Sequence, residues 1–337
     1  MQAQVRPQQN ALSGKVLYQL KDKAIWIVFV VLFIFFSIAN PRFVDPNNLL
    51  IVLRQVSMIG IAAVGMTFVI LTGGIDLSVG SIISLVGVVC ATLIANFNMN
   101  IWLAIPITLL LATLIGAING VMVASVGIPA IIATFATQIA VQGGAFMLSG
   151  GSPVRPDGGF SQTFLWFGQG TIGGQAGVGA IGVPVPVIFM VICFAVGAFI
   201  LNKTYFGRYF YAVGGNEEAS RLSGIRIKRV KYLVYALSGL FAGLAGIVLL
   251  SRTNSAQPSS GVGWEFDVIT CVVLGGVSIS GGHGKISNVV AGVLIIGILT
   301  NGMILMNVSA FTQMVIRGGV LAAAVGFDCL QKRRQAT

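Results

Sequence analysis

Ten apolar runs, most of them near the length that crosses a bilayer, dominate this chain of 337 residues. A spanning helix needs about 20 mainly apolar residues. Such runs lie at roughly 24–39, 49–71, 78–96, 101–126, 128–148, 184–201, 232–251, 265–281, 286–306 and 311–330. Hydrocarbon admits only structures that satisfy every backbone N–H and C=O internally. Runs of this length therefore predict an all-α integral membrane protein of about ten transmembrane helices. Composition agrees, with 56% hydrophobic and only 9% charged residues and a mean hydropathy of +0.93. The run from Ala24 to Ala39 lacks a small-residue cleavage site and leads straight into a second span, so it reads as a retained helix. The third and eighth runs are short and interrupted by glycine, which makes them the candidates for broken or re-entrant segments.

Charge sets the orientation. Seven of the twenty Lys and Arg fall between Asn202 and Lys231. The tail 1–23 carries Arg6, Lys15, Lys21 and Lys23, and the tail 331–337 carries Lys332, Arg333 and Arg334. The loop from Ser149 to Val183 has only Arg155, set against Asp157. The positive-inside bias then puts both termini and the loop 202–231 in the cytoplasm, 149–183 outside, and one transmembrane domain over 24–330. The same bias accounts for the net charge of +11, so nucleic acid is not an expected partner. Cys90, Cys193, Cys271 and Cys329 are far apart, each in an apolar run, and read as free buried thiols. One histidine, His283, leaves no basis for a zinc site or a Ser-His-Asp triad. No metal or cofactor is expected.

Two segments echo one another. Gly73-Gly74-Ile75-Asp76-Leu77-Ser78 resembles Gly275-Gly276-Val277-Ser278-Ile279-Ser280, each between two apolar runs. Irregular backbone at membrane depth must line a cavity or be buried in protein. Paired Gly-interrupted segments are thus a pointer to a transport path, beside the plainer reading as tight turns. The repeat is weak, and its symmetry stays unassigned.

The loop 202–231 contains a short charged helix with its own punctuation. Asn216 suits the N-cap, and Glu217 and Glu218 suit the positive end of the helix dipole. Glu217 and Arg221 form an i,i+4 pair, and Gly224 suits the left-handed residue after the helix. Such a helix is too short to be stable alone. It must dock, either on a partner or on lipid head groups.

Together with Ile70-Leu71-Thr72-Gly73-Gly74-Ile75-Asp76-Leu77-Ser78-Val79-Gly80-Ser81, the run Gly214–Ile225 resembles the permease subunit of ribose-type ABC sugar importers. So do Ser255-Ala256-Gln257-Pro258, Gly263-Trp264-Glu265-Phe266-Asp267 and Val273–Ser278, in the family's order and spacing, over about 25–330. Trp264 and Phe266 stand where the family pattern has Tyr and Leu. The resemblance implies a permease dimer in the bacterial inner membrane that moves a monosaccharide by alternating access. It also implies a cytoplasmic ABC ATPase docked on the short helix, and a periplasmic sugar-binding protein that delivers substrate. Carried over by motif, the docking residues are Asn216, Glu217, Glu218, Ala219, Arg221, Leu222 and Gly224.

The chain offers no nucleotide site of its own. Before Gly284-Lys285, Ile279 stands where a phosphate-binding loop needs its first glycine, and Ile286 follows where Ser or Thr belongs. The G-x-G-x-x-G matches at 168–173 and 177–182 lie in the outside loop and read as linker glycine. A charge at mid-bilayer costs about 2.5–3.5 kcal/mol, so Arg54, Asp76, Glu265, Asp267, Arg317 and Asp328 are functional candidates. Duller roles stand beside that: Arg54 toward Asp45, Asp328 toward Lys332, and Asp76, Glu265 and Asp267 at helix N-termini. Arg317 lies inside the last span and needs an acid from another helix. A polyol wants hydrogen bonds without net charge, which adds Asn119, Gln138, Gln142 and Asn301, and Ser78 beside Asp76, as path or gate candidates. Interhelical hydrogen bonding is the alternative for each. Gly116–Gly120 and Gly239–Gly243 have the spacing of close helix packing. An ion-gradient transporter is the competing function; for a membrane enzyme no nucleophile and base pair is present.

Overall fold

The computed structural model describes residues 10–173 and 182–336, with side chains placed for 24–173 and 182–330. Helix follows helix: α1 (Asn10–Ala39), α2 (Pro46–Leu71), α3 (Val79–Phe97), α4 (Ile101–Val121), α5 (Ala130–Ser149), α6 (Gln162–Gln169) and α7 (Val185–Lys203). Then come α8 (Tyr205–Gly215), α9 (Glu217–Leu222), α10 (Ile227–Thr253), α11 (Trp264–Leu274), α12 (Ile286–Leu305) and α13 (Ala310–Ala336). The only strands among the described residues, β1 (Thr171–Ile172) and β2 (Val183–Pro184), pair antiparallel at the edge of the loop 150–184. Among the described residues, eight helices are long and apolar enough to cross a membrane. Of the two other expected spans, the first is the apolar stretch Ala24–Ala39 of the 30-residue α1, and the eighth is α11, only 11 residues long.

The third and eighth runs part company. α3 is one unbroken helix of 19 residues, against the expectation of a broken span, because its glycines sit on a packed face. Gly80 and Gly87 both lie against the 256–261 segment. The eighth does break. α11 rises only about 16 Å, half the hydrocarbon thickness of about 30 Å. The segment 254–263 completes its path as a chain of turns.

α10 is the central post, and glycine lets its neighbours reach it. A Cβ on Gly116 would lie 2.2 Å from the carbonyl oxygen of Tyr235, and one on Gly239 2.2 Å from that of Ala112, so α4 and α10 touch backbone to backbone. Gly65 brings α2 equally close to Ser238, and Gly246 accepts the α3 backbone at Ile83. Small residues do this work in membranes because apolar burial gives no preference for helix over lipid. At the margin α5 and α13 are mostly exposed, with Met147 and Phe311 outward, as lipid-facing helices should be.

Corrections follow from packing. Cys90, Cys193 and Cys271 are buried, but Cys329 is exposed on α13. Gly168, read as linker, is a contact residue: a Cβ there would lie 2.3 Å from the backbone nitrogen of Arg252. Most of the 177–182 run, Arg6 and the side chains of Lys15, Lys21, Lys23, Lys332, Arg333 and Arg334 lie outside the described residues.

Gly239→Leu is expected to lower the apparent Tm of the purified protein, since overpacking costs about 1–3 kcal/mol. Gly326→Ala, where a Cβ meets nothing within 4 Å, is expected to leave it unchanged. Equal unfolding curves for the two variants contradict the packing described.

Candidate functional site

The two echoing segments end their helices identically. After α2, the N–H of Gly73 donates to Ile70 at 2.9 Å and that of Gly74 to Val69 at 3.0 Å. After α11, Gly276 donates to Val273 at 2.8 Å and Val277 to Val272 at 3.2 Å. These are Schellman motifs, with the left-handed residue at Gly73 (φ 76) and at Gly276 (φ 79). The structural match is therefore offset by one residue from the sequence match. Both turns keep their flanks in protein, with Thr72, Asp76, Val277 and Ser278 buried, while Gly73 and Gly276 themselves are exposed.

α8 ends between them. A Cβ on Gly214 would lie 1.8 Å from the carbonyl oxygen of Leu71 and 2.5 Å from the nitrogen of Gly282, while the N–H of Gly282 donates to Leu71 at 2.9 Å. Tyr211 Oη donates to the carbonyl of Gly284 at 2.9 Å. Only glycine permits this approach of three backbones. α9 follows at once, capped by Asn216, whose side chain accepts from the Ala219 N–H at 2.9 Å, and closed by Gly224 at φ 84. Its ion pairs differ from the sequence expectation. Arg221 pairs with Glu218 at i,i+3, and Glu217 is taken by Lys231 at 2.8 Å, from the first turn of α10. Ser220 is buried beneath the helix, and Leu222 is 82% exposed at its tip.

Deeper in, the first turns of α3 and α11 meet. A Cβ on Gly80 would lie 2.3 Å from both Glu265 Oε2 and the carbonyl oxygen of Gly261, and Gly261 N–H donates to Ser84 Oγ at 2.9 Å. Two helix N-termini thus converge on one carboxylate, with the positive ends of their dipoles toward it. Gln138 Nε2 of α5 donates to Glu265 Oε1 at 2.7 Å, and Gln142 Nε2 donates to the carbonyl of Pro258 at 2.6 Å. Glu265 Oε2 is buried without a partner. Two residues on, Asp267 takes Arg317 of α13 at 3.1 Å, the acid that Arg317 required.

Between this point and α9 runs a line of hydrogen bonds. Asp76 Oδ1 accepts from the Ser78 N–H at 3.0 Å and from Ser78 Oγ at 2.6 Å, and Oδ2 accepts from Ser238 Oγ at 2.7 Å. Asn119 Nδ2 donates to Ser78 Oγ at 2.8 Å, and Thr137 Oγ1 donates to Asn119 Oδ1 at 2.6 Å. Four elements are tied: the start of α3, α4, α5 and α10. The second turn has an acid too, Asp328 of α13, which accepts from Ser278 Oγ at 3.0 Å and from the Ile279 N–H at 3.3 Å.

The structure thus brings together Asp76, Ser78 and Asn119, and separately Gln138 and Glu265, with Gln142 and Asp267 close by. Asn301 stands apart, exchanging 2.9 Å bonds with Asn48 of α2. Arg54 does not reach Asp45. It donates to the carbonyl of Gln169 at 3.0 Å, and Asp45 instead caps α2 through Asn47. Sequence reasoning passed over Thr137, Ser238 and Tyr211, which carry no local signal, and quoted Gly214 only as the start of a motif without giving it a contact role. Among the described residues no group of His, Cys, Asp and Glu could hold a metal.

An apolar helix bundle with one half-span, two matched helix-ending turns and a buried acid–amide site belongs to the class of polytopic membrane transport proteins. Residues 48–325 match the family described as branched-chain amino acid transport system / permease component. The chain belongs to this permease family, a transport subunit and not an ATPase. It is 42% identical to the ribose import permease protein RbsC of Haemophilus influenzae over 95% of each chain. Identity to the ribose import permease protein RbsC of Bacillus subtilis is 44%, over 88% of this chain and 89% of that one. The L-arabinose transport system permease protein AraH of Escherichia coli is 42% identical over 92% of this chain and 91% of its own. No solved structure matches the sequence significantly.

Asp76→Ala leaves two buried serine hydroxyls and a backbone N–H without an acceptor, at about 1–3 kcal/mol for each orphaned group. It is expected to lower the apparent Tm more than Ser238→Ala, which removes one donor. Wild-type unfolding of Asp76→Ala contradicts the network.

Proposed function

We propose that this chain is the membrane-spanning subunit of an ATP-driven importer for a monosaccharide of the ribose and arabinose class, in the bacterial inner membrane. The names of its relatives support the sugar class. The charge pattern supports a cytoplasmic position for both termini and for α9. The observation that carries the mechanism is the junction of three backbones at Gly214, which joins α9 to both helix-ending turns.

α9 is the docking element for a cytoplasmic ATPase, with the carboxylates of Glu217 and Glu218, the guanidinium of Arg221 and the exposed Leu222 as its contact groups. When two ATPase subunits close on ATP, they move α9, and α9 moves the turns at 72–74 and 275–277 with it. The first turn leads into the start of α3 and the second closes the end of α11, so their movement opens or shuts the meeting point of those two helices at Gly80 and Glu265. Sugar hydroxyls hydrogen-bond there to Gln138, Gln142 and the free oxygen of Glu265. A ligand can shift such an equilibrium only by its different affinity for the two states. ATP inside and a sugar-loaded binding protein outside supply that difference. A second copy of the chain completes the path. Gly143 and Gly144 on α5 and Gly318 and Gly319 on α13 front open space beside Gln138 and Arg317, where a partner helix can approach closely.

Replacing Glu217, Glu218 and Arg221 together by alanine is expected to cut ATPase co-purification and sugar uptake at least about tenfold, a loss of about 1.4 kcal/mol or more of docking free energy. The bundle's unfolding temperature is expected to stay unchanged. Unchanged uptake, or uptake that survives ATP depletion and collapses with an uncoupler, contradicts the proposal. Glu265→Gln is expected to keep the ATPase bound and reduce uptake; full uptake in that variant removes Glu265 from the path.

A further inference from the structure

Arg54 and Arg252 stand together at the end of the bundle away from α9. Among the described residues no acid pairs with either. Arg54 lies two turns into α2, donates Nη2 to the carbonyl of Gln169 at 3.0 Å, and has its Nε–H buried without an acceptor. Gln169 Nε2 donates in turn to the carbonyl of Arg252 at 3.0 Å. Gln169 thus bridges the Arg54 side chain and the Arg252 backbone. Paired cations with a spare donor and no acid form a place for an anion.

Beneath them lies a cavity of about 280 Å³ with an almost wholly apolar wall. Ile61, Phe167, Leu244 and Val248 line it from α2, α6 and α10, and Trp102 and Phe189 from α4 and α7. Ile61 is seven residues along α2 from Arg54, and Val248 is four residues along α10 from Arg252. Both spacings keep a residue on the same helix face. The same elements therefore carry the cations and, about 6–10 Å deeper, the cavity wall. Trp102 is half exposed, and α4 and α7 both turn broad sides outward, which opens the cavity's flank to the bilayer. An apolar void of this kind does not hold water. Hydrocarbon fills it without loss.

We propose that this end of the bundle holds one anionic phospholipid, its phosphate between Arg54 and Arg252 and one acyl chain in the cavity. The site is distinct from α9 and from the acid–amide path. It would link the outer halves of α2, α6 and α10 to the lipid composition of that leaflet.

The test uses the full chain with Trp26, Trp166 and Trp264 replaced by Phe, so that Trp102 alone reports. The protein is reconstituted in vesicles of phosphatidylcholine with increasing phosphatidylglycerol brominated on its acyl chain, or with brominated phosphatidylcholine as reference. Quenching is expected to reach half-maximum at a mole fraction about tenfold lower for phosphatidylglycerol, the advantage two interfacial cations give an anionic head group. Arg54→Gln with Arg252→Gln is expected to erase that advantage, and Arg54→Lys with Arg252→Lys to retain most of it. Val248→Phe, which narrows the cavity, is expected to erase it with the charges intact. Equal quenching by the two lipids in the unaltered cavity overturns the proposal. So does a preference that survives the glutamine pair, which would leave these arginines to a protein partner. A preference abolished by millimolar inorganic phosphate but indifferent to Val248→Phe also overturns it, since a free anion then suffices.

Discussion

A helix broken inside a membrane exposes backbone groups that lipid cannot satisfy, at several kcal/mol for each unsatisfied group. α11 is such a half-span, and everything specific in this molecule follows from how the turn that ends it and the turn that ends α2 meet that demand together. Each turn closes its own helix with a Schellman pair, and what remains is met from elsewhere in the chain. Leu71 accepts from Gly282, so one turn satisfies the other. Asp76 takes the N–H and hydroxyl of Ser78, and Asp328 takes the N–H of Ile279. Because the solution is mutual, neither turn can shift alone without orphaning groups in its neighbour. That is what makes the pair of turns a single mechanical unit.

The unit is reached from outside the bundle at one point. α9 has six residues and exposed ion pairs, which are worth about 0–1 kcal/mol each, so its own bonds do not hold it in place. Its position comes from α8, whose last glycines lie against both turns, and from Lys231 at the foot of α10. A short helix so anchored transmits displacement because glycine contacts leave no compressible side chain between the backbones. The polar line from Asp76 through Ser78 and Asn119 to Thr137 then extends the unit to α5, and Gln138 on α5 holds Glu265. In the proposed function, a partner on α9 would thereby be connected through packed, hydrogen-bonded groups to the proposed sugar path.

Most spans and the punctuation of α9 were legible in the sequence because they rest on local physics: run length, and capping at Asn216 and Gly224. The echo was legible too, but aligning identical glycines placed it one residue out of register. Helix termination, not glycine identity, decides which residue turns left-handed, and it selects Gly73 in one copy and Gly276 in the other. Pairings across long separations were not legible. Asp76 meets Ser238 162 residues away, and Arg317 meets Asp267 50 residues away; nothing local distinguishes these serines and acids from others. Arg54 was assigned to the nearest acid in sequence, which the N-cap of α2 had already claimed. The break in the eighth run was legible from its glycines, but its exact place was not, because the apolar run continues through Gly275 into Ile279 while the helix stops at Leu274.

Gly214→Val, examined in the assembled transporter, tests the central claim most directly. The added side chain must push α8 off the carbonyl of Leu71 while leaving the exposed surface of α9 intact. The account predicts a complex that still captures its ATPase and still hydrolyses ATP, but no longer moves sugar. Sugar uptake at the unaltered rate, with the ATPase bound, would show that the path does not take its motion from this junction.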